Sequence, residues 1–293
     1  IGEYSGEKKE IKPITIATYQ VVTRKTKGEY RALELFDSRD WGLIIYDEVH
    51  LLPAPVFRMT SDLQSRRRLG LTATLIREDG MEGDVFSLIG PKRYDAPWKE
   101  LEAAGYIATA DCIEVRVDMD PEERMLYATA QPRERYRIAA SSSAKHRAVD
   151  KILAQHAGQQ ALIIGGYVDQ LEELGKHLNA PVIDGKTSNA KREKLFQQFR
   201  EGELQILVVS KVANFSIDLP EAALAIQVSG TFGSRQEEAQ RLGRLLRPKA
   251  DGKEATFYTL VTRDSIDAEY ALHRQRFLAE QGYAYRLVDE VDL

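Results

Sequence analysis

The chain has 293 residues, a formal net charge of −4, 43% hydrophobic and 29% charged residues, and a single cysteine. This composition excludes a predominantly disordered chain, and the lone cysteine excludes an internal disulfide or a cysteine-cluster metal site. No apolar run approaches the ~18 residues of a membrane-spanning helix. At roughly 150 residues per domain, two domains are expected. The mild acidity does not exclude nucleic-acid binding in a local groove.

Short apolar runs alternate with amphipathic stretches along the chain. The predicted strands cover 14–17, 42–46, 69–72, 161–165, 181–184, 205–209, 223–228 and 255–261. The predicted helices cover 171–178, 190–200 and 236–247, where apolar residues recur at helical spacing. Apolar strands separated by helices predict parallel sheets covered on both faces, which is an α/β architecture.

The middle of the chain has a different pattern. Residues 111–119 alternate like a half-exposed strand, 121–137 are rich in charge, and three serines at 141–143 are typical of a linker. We therefore expect a first domain over 1–95, a joining segment over 96–144 and a second domain over 145–293. The first domain holds only about three predicted strands, so we expect an edge or an N-terminal portion of its sheet to be missing.

The most informative segment is an apolar strand that ends in two adjacent carboxylates, Asp47 and Glu48, followed by His50. This arrangement suits an enzyme that uses a Mg²⁺-nucleotide. One carboxylate would hold hydrated Mg²⁺, and the next would polarise the water that attacks the γ-phosphate. An isolated acidic pair is usually a solvated turn, but a strand followed by D-E-x-H argues against that interpretation. His50 could couple the site to a neighbouring element.

The next predicted strand ends in Thr72-Ala73-Thr74. Hydroxyls at this point can relay hydrogen bonds between a nucleotide site and a polymer site. Taken alone, the tripeptide is an ordinary strand end.

A third segment, 235–247, has a helical pattern that places Gln240, Arg244 and Arg247 on one face. Clustered guanidiniums need an anion, and phosphate is the natural partner because the planar fork binds it through two hydrogen bonds. A solvated basic face is the alternative. Gly243 argues against it, because a glycine inside a helix indicates close approach of another group.

In this order the three segments resemble motifs II, III and VI of superfamily 2 helicases, and the resemblance covers nearly the whole chain. Thr18-Tyr19-Gln20 resembles the DNA-contacting motif after the first strands of that superfamily, and residues 209–220 resemble motif V. Arg77-Glu78-Asp79 is similar to the RED motif of the XPB-type (xeroderma pigmentosum group B) helicases. Residues 120–140 fall where that family carries its thumb insertion.

The resemblance implies two RecA-like parallel-sheet domains, the first truncated at its N-terminus, with a small thumb-like joining insertion. It implies that Asp47 binds Mg²⁺, that Glu48 activates water, and that His50 with Thr72 and Thr74 couples hydrolysis to DNA movement. It also implies further roles for residues in the second half of the chain. Gln240, Arg244 and Arg247 would reach across the interdomain cleft, with Arg244 as arginine finger, and Asp218 would contact the nucleotide ribose or its surroundings.

The implied function is an ATP-dependent 3′-to-5′ DNA helicase or translocase of nucleotide excision repair or transcription, with ATP and Mg²⁺ as cofactors. Thr18, Tyr19, Gln20 and the RED residues would contact or separate DNA. The implied partners are DNA, as single strand and fork and without sequence preference, and a repair nuclease or transcription–repair complex; no membrane is expected. The protein would be cytoplasmic and nucleoid-associated in a prokaryote, or nuclear in a eukaryote.

One departure concerns the phosphate-binding loop G-x-x-x-x-G-K-[ST], which does not occur in the sequence. Gly185-Lys186-Thr187 follows a predicted strand, but the position of the first loop glycine is Ala180. We therefore expect that the chain begins downstream of the loop and hydrolyses ATP poorly or not at all by itself. Two alternatives stay open, a non-enzymatic DNA-binding scaffold with a degenerate motor fold and an RNA helicase, in which D-E-x-H boxes also occur.

Overall fold

The computed structural model describes residues 1–72, 82–106, 110–210, 222–230, 255–280 and 282–293. The chain divides into two compact units, Ile1–Asp95 (unit 1) and Ala96–Leu293 (unit 2). Every pair of neighbouring strands in the described residues is parallel. The α/β parallel-sheet architecture expected from the sequence is therefore confirmed.

The described residues of unit 1 form four short strands in two pairs. Strand β1 (Gly2–Tyr4) pairs with β2 (Thr15–Ala17), and β3 (Ile44–Tyr46) pairs with β4 (Arg68–Gly70). Its helices are α1 (Tyr19–Val22), α2 (Arg31–Asp37), α3 (Pro55–Arg58) and α4 (Glu82–Leu88). Single 3₁₀ turns follow at Val49–Leu51 and Met59–Asp62.

Two small apolar clusters hold unit 1 together. The first contains Tyr4, Val22, Phe36 and Leu63. Within it, the Tyr4 and Phe36 rings meet edge to face, with centroids 5.2 Å apart. The second contains Tyr46, Val49, Leu52 and Val85. Because the second cluster includes the end of β3 and the turn after it, it fixes the position of the predicted carboxylate pair.

Unit 2 is built on a seven-stranded parallel sheet with the order β11-β5-β10-β9-β6-β8-β7. Its strands are β5 (Ala110–Val117), β6 (Ala161–Gly165), β7 (Val182–Ile183), β8 (Ile206–Ser210), β9 (Leu224–Gln227), β10 (Ala255–Thr262) and β11 (Tyr285–Asp289). Its helices are α5 (Trp98–Ala103), α6 (Pro121–Thr129), α7 (Pro132–Ala140), α8 (Ala144–Gln155), α9 (Val168–His177), α10 (Asn189–Arg200) and α11 (Ile266–Glu280). A last 3₁₀ turn covers Glu290–Asp292.

The central strands of unit 2 are buried along their whole length. Every residue of β6 and of β9 is buried, as expected for strands covered on both faces. Helix α8 packs against β5 and β10, and α9 packs against β6 and β8. The resulting core is continuous from β5 to β8.

Strand β5 differs in part from its prediction as a half-exposed strand. It lies between β10 and β11, and Ile113, Val115 and Val117 are almost completely buried. Its polar residue Glu114 is buried too, and accepts hydrogen bonds from Gln275 Nε2 at 2.8 Å and from Arg116 Nε at 2.8 Å. Arg116 itself is exposed, so only the charge of Glu114 is satisfied inside the sheet.

The rest of the range 96–144 also packs within unit 2. Helices α6 and α7 pack against each other, and α7 packs against β10 and α11. At the three serines, Ser142 Oγ donates to Glu123 Oε2 at 2.6 Å. No helix within the described ranges is long and apolar enough to cross a membrane.

Candidate nucleotide site

The two predicted carboxylates lie in a turn that leaves the end of β3, which we call the DEVH turn (residues 47–50). The pairing of β3 with β4 continues into it, because Leu71 N donates to Tyr46 O at 2.9 Å and Val49 N donates to Leu71 O at 2.9 Å. A Cβ on Gly70 would lie 2.8 Å from Val49 Cγ2, so only glycine allows this close approach. The turn is therefore fixed by both strands.

Glu48 has a left-handed backbone conformation, with φ 49° and ψ 47°. This conformation costs an L-residue roughly 1–2 kcal/mol, and residues strained in this way are enriched at functional sites. The preceding carboxylate, Asp47, is exposed, and its Oδ1 accepts a hydrogen bond from Glu48 N at 3.0 Å. The strained backbone directs two consecutive carboxylates differently, one to solvent and one toward the interior of the turn.

His50 joins Glu48 to the end of the neighbouring strand. Its ring is buried, and its Nδ1 lies 2.8 Å from Thr72 Oγ1 and 3.4 Å from Glu48 Oε2. The structure thus brings together three of the residues that the sequence singled out. A histidine that contacts both a carboxylate and a hydroxyl can couple a movement of one group to a movement of the other.

Tyr19 also belongs to this neighbourhood, in a way that the sequence does not indicate. Its hydroxyl donates to Asp47 O at 2.9 Å, and its ring lies against Phe57 with centroids 5.3 Å apart. Burial, followed by the nearby Tyr46, Asp47 and Glu48, raises the pKa of its phenol above the ordinary value. Thr18 and Gln20, on either side of it, are exposed. Their predicted role in DNA contact stays a prediction.

The donor set of the DEVH turn fits Mg²⁺ bound together with a nucleotide. Within the described residues, no group of three or more His, Cys, Asp or Glu side chains is placed to hold a metal by itself. Mg²⁺ does not need such a group, because it usually keeps several waters and takes one or two carboxylates plus substrate phosphates. The exposed carboxylate of Asp47 meets that requirement.

The remaining predicted site residues lie outside the described residues. They are Thr74, Arg77, Glu78, Asp79, Asp218, Gln240, Arg244 and Arg247. Their roles stay predictions.

Unit 2 contains a buried charge cluster, Lys145, Asp267 and Arg274, that the sequence analysis missed. Lys145 Nζ donates to Asp267 Oδ2 at 2.7 Å and to Val228 O at 2.9 Å. Arg274 Nη2 lies 3.5 Å from Asp267 Oδ1. Burial alone would raise the pKa of Asp267, but the two cations outweigh it and hold the pKa below the ordinary value. The carboxylate is thus the shared counter-ion of both cations.

The buried charge cluster also holds the backbone at 228–230. Tyr136 Oη donates to Gly230 O at 2.8 Å and accepts from Arg274 Nη1 at 3.3 Å. A Cβ on Gly230 would lie 2.6 Å from the Arg274 guanidinium. The chain is therefore fixed where it enters the segment that carries Gln240, Arg244 and Arg247. Lys145 and Arg274 lie in helices of mixed polarity, so no sequence signal separates them from surface residues.

The family of the chain follows from comparison with known proteins. The ERCC3/RAD25/XPB C-terminal helicase family matches residues 101–292, and the type III restriction enzyme res subunit family matches residues 1–77. The chain is 73% identical to the DNA 3'-5' helicase XPB of Mycobacterium tuberculosis over its whole length, which is 53% of that relative. It is 39% identical to the general transcription and DNA repair factor IIH helicase/translocase subunit XPB of Drosophila melanogaster, over 94% of this chain and 36% of that relative.

Among solved structures, S. cerevisiae Dbp5 bound to RNA and ADP BeF3 matches with a TM-score of 0.65 and 13% identity, over 99% of this chain and 70% of that one. At this identity the match shows the fold alone. The chain spans about half the length of its M. tuberculosis relative and about a third of its D. melanogaster relative. With a family match over residues 101–292, the chain belongs to the ERCC3/RAD25/XPB C-terminal helicase family.

Proposed function

We propose that this chain is the motor portion of an ATP-dependent 3′-to-5′ DNA helicase or translocase that acts in nucleotide excision repair or transcription. The observation that carries the proposal is the DEVH turn, in which Asp47 is exposed, Glu48 is held in a left-handed conformation and His50 lies between Glu48 and Thr72. The names of its M. tuberculosis and D. melanogaster relatives support the same activity.

Each residue of the turn has a distinct role in this proposal. Asp47 would hold Mg²⁺, which when bound offsets the charge of the β- and γ-phosphates. Glu48 orients the attacking water and accepts its proton. His50 fixes the position of Glu48, and with Thr72 and Thr74 it couples the state of the nucleotide to DNA movement.

Residues outside the described ranges complete the proposal. We assign Gln240, Arg244 and Arg247 to the triphosphate, with Arg244 as the arginine finger, and Asp218 to the ribose or its surroundings. Thr18, Gln20 and the segment Arg77-Glu78-Asp79 would contact or separate DNA. The partners would be single-stranded and forked DNA and a repair nuclease or transcription–repair complex. The location would be the nucleoid of a prokaryote or the nucleus of a eukaryote.

The test is Glu48→Gln in the full-length gene product. We expect loss of at least about 100-fold in the kcat for ATP hydrolysis, because an amide cannot accept the proton, with Mg-ATP binding largely intact. Asp37→Asn is a matched control, since Asp37 also lies in unit 1 and its Oδ1 accepts a backbone hydrogen bond from Gln64 N at 3.0 Å, outside the DEVH turn. Its kcat should equal that of the wild type.

Three outcomes would contradict the proposal in different ways. Unchanged kcat in the Glu48→Gln variant would refute the role of Glu48. Stimulation of the wild type by RNA rather than DNA would favour an RNA helicase. Salt-sensitive DNA binding without any ATP hydrolysis would favour a scaffold.

A further inference from the structure

The hydroxyl of Tyr19 connects two segments of unit 1 that have different predicted roles. Tyr19 begins α1 directly after the exposed Thr18, in the segment expected to contact DNA. Its hydroxyl donates to the carbonyl oxygen of Asp47 at 2.9 Å, although the two residues are 28 positions apart.

The hydrogen bond from Tyr19 is made to the Asp47–Glu48 peptide group, whose orientation sets the backbone conformation of Glu48. The Asp47–Glu48 peptide carries two polar groups, and both are fixed. Its N–H donates to Asp47 Oδ1 at 3.0 Å, and its C=O accepts from Tyr19 Oη. A rotation of this peptide plane would change φ of Glu48 and release it from its left-handed conformation. Tyr19 therefore opposes the relaxation that the strained backbone favours.

The phenol is suited to this task. Its ring packs on Phe57 and is half-buried, so the hydroxyl is held in one place. Its pKa is raised above the ordinary value by burial and by the nearby Tyr46, Asp47 and Glu48. The group consequently remains a protonated donor throughout the physiological pH range.

We propose that Tyr19 is a positioning residue for ATP hydrolysis, which holds the Asp47–Glu48 peptide and so ties the setting of Glu48 to the segment 18–22. The inference rests on the proposed function, since it names a control on the same hydrolytic site. When DNA displaces the segment 18–22, the Tyr19 hydroxyl pulls on or releases Asp47 O, and Glu48 moves with it. Tyr19 acts through Glu48 and touches neither water nor nucleotide.

The test is Tyr19→Phe in the full-length gene product, which removes one oxygen and leaves the ring. With saturating DNA we expect kcat for ATP hydrolysis to fall about three- to tenfold, the equivalent of one net hydrogen bond. The KM for ATP and the Kd for a single-stranded oligonucleotide should change less than about twofold, because the ring and the exposed neighbours are retained. A structural role alone would not separate kcat from KM in this way.

Ser38→Ala is the control. The Ser38 hydroxyl lies in the same unit and donates to a backbone carbonyl, Leu35 O, at 2.9 Å, and it belongs to neither the DEVH turn nor the cluster beneath it. Its loss removes one hydrogen bond of the same kind and should leave kcat unchanged.

Several results would overturn the inference. One is a wild-type kcat in the Tyr19→Phe variant. A second is an equal fall of kcat in both variants, which would indicate a general loss of stability. A third is a weakened DNA Kd with normal kcat at saturation, which would make Tyr19 a DNA contact. The wild type is assayed first. If DNA does not stimulate its ATP hydrolysis, the proposed function is refuted, and this inference with it, before either variant is measured.

Discussion

The two units of this chain bury their strands to very different extents. In unit 2, β6 and β9 are buried at every position, and Ile163 is 0% exposed. In unit 1, Ile16, Ile45 and Leu69 leave one side of β2, β3 and β4 exposed, and Ile45 is 54% exposed. Parallel sheets are normally covered on both faces. The described part of unit 1 therefore buries less of its strands than unit 2 does, and directed hydrogen bonds such as those of Tyr19, His50 and Leu71 act beside its two apolar clusters.

The same contrast applies to charge. Unit 2 buries Lys145, Asp267 and Arg274 almost completely, whereas the Asp40–Arg66 pair of unit 1 has both side chains more than 70% exposed. A buried ion is stabilised only as long as its partner remains. An exposed ion pair is screened by water and contributes little.

The largest expected effect comes from the substitution Asp→Asn made once in each unit. Asp267→Asn leaves two buried cations without a counter-ion and should lower the free energy of unfolding of unit 2 by about 3–5 kcal/mol. Asp40→Asn should cost less than about 1 kcal/mol. Hydrogen exchange of the 293-residue chain, followed by mass spectrometry, reports each unit separately. Equal costs would show that the buried charge cluster does not stabilise unit 2.

A second pair of variants tests the difference in packing. Ile163→Ala creates a cavity in a fully buried strand and should cost about 2–5 kcal/mol. Ile45→Ala removes an exposed side chain and should cost less than about 1 kcal/mol. Chemical denaturation with the same hydrogen-exchange readout compares the two. A large cost at Ile45 would mean that its side chain is covered in solution.

The strands of unit 2 could be predicted closely from the sequence, because a run such as 161–165 is continuously apolar and belongs to one buried strand. Strand β5 could not be predicted as buried. Its Glu114 is satisfied by Gln275, which is 161 positions away, and a local pattern contains no information about such a partner. The edge strand β11 was missed because its Arg286 and Asp289 interrupt the apolar pattern.

The candidate site was predicted in its residues but not in its geometry. Asp47, Glu48 and His50 follow from an apolar strand that ends in D-E-x-H. The left-handed backbone of Glu48 does not follow, because glutamate has no preference for that conformation and a local pattern contains no information about the contacts around it. The hydrogen bond from Tyr19 to Asp47 O joins residues 28 positions apart and likewise depends on tertiary structure.

The smallest expected effect concerns the turn after β7. Like the DEVH turn it follows a parallel strand, but its carboxylate is bonded within the turn itself. Asp184 Oδ1 accepts from Lys186 N at 3.0 Å, Thr187 N at 3.0 Å and Thr187 Oγ1 at 2.8 Å. These three donors are therefore already bonded to Asp184 and do not point to a phosphate, unlike the backbone N–H groups of a phosphate-binding loop. The Thr187 hydroxyl, with the two backbone N–H groups, holds the pKa of Asp184 below its ordinary value.

Thr187→Val removes that hydroxyl and should raise the pKa of Asp184 toward the ordinary value, as measured by NMR titration of the carboxyl carbon. A depressed carboxyl pKa stabilises the fold above the unfolded pKa of about 3.9, and this stability is lost as pH falls through the folded value. When the pH is lowered from neutral to below the folded-state pKa of Asp184, the variant should consequently lose less stability than the wild type. An unchanged pKa of Asp184 would mean that the backbone N–H groups alone lower it. The difference between Asp184, whose carboxylate is bonded within its own turn, and the exposed Asp47 would then depend on backbone geometry only.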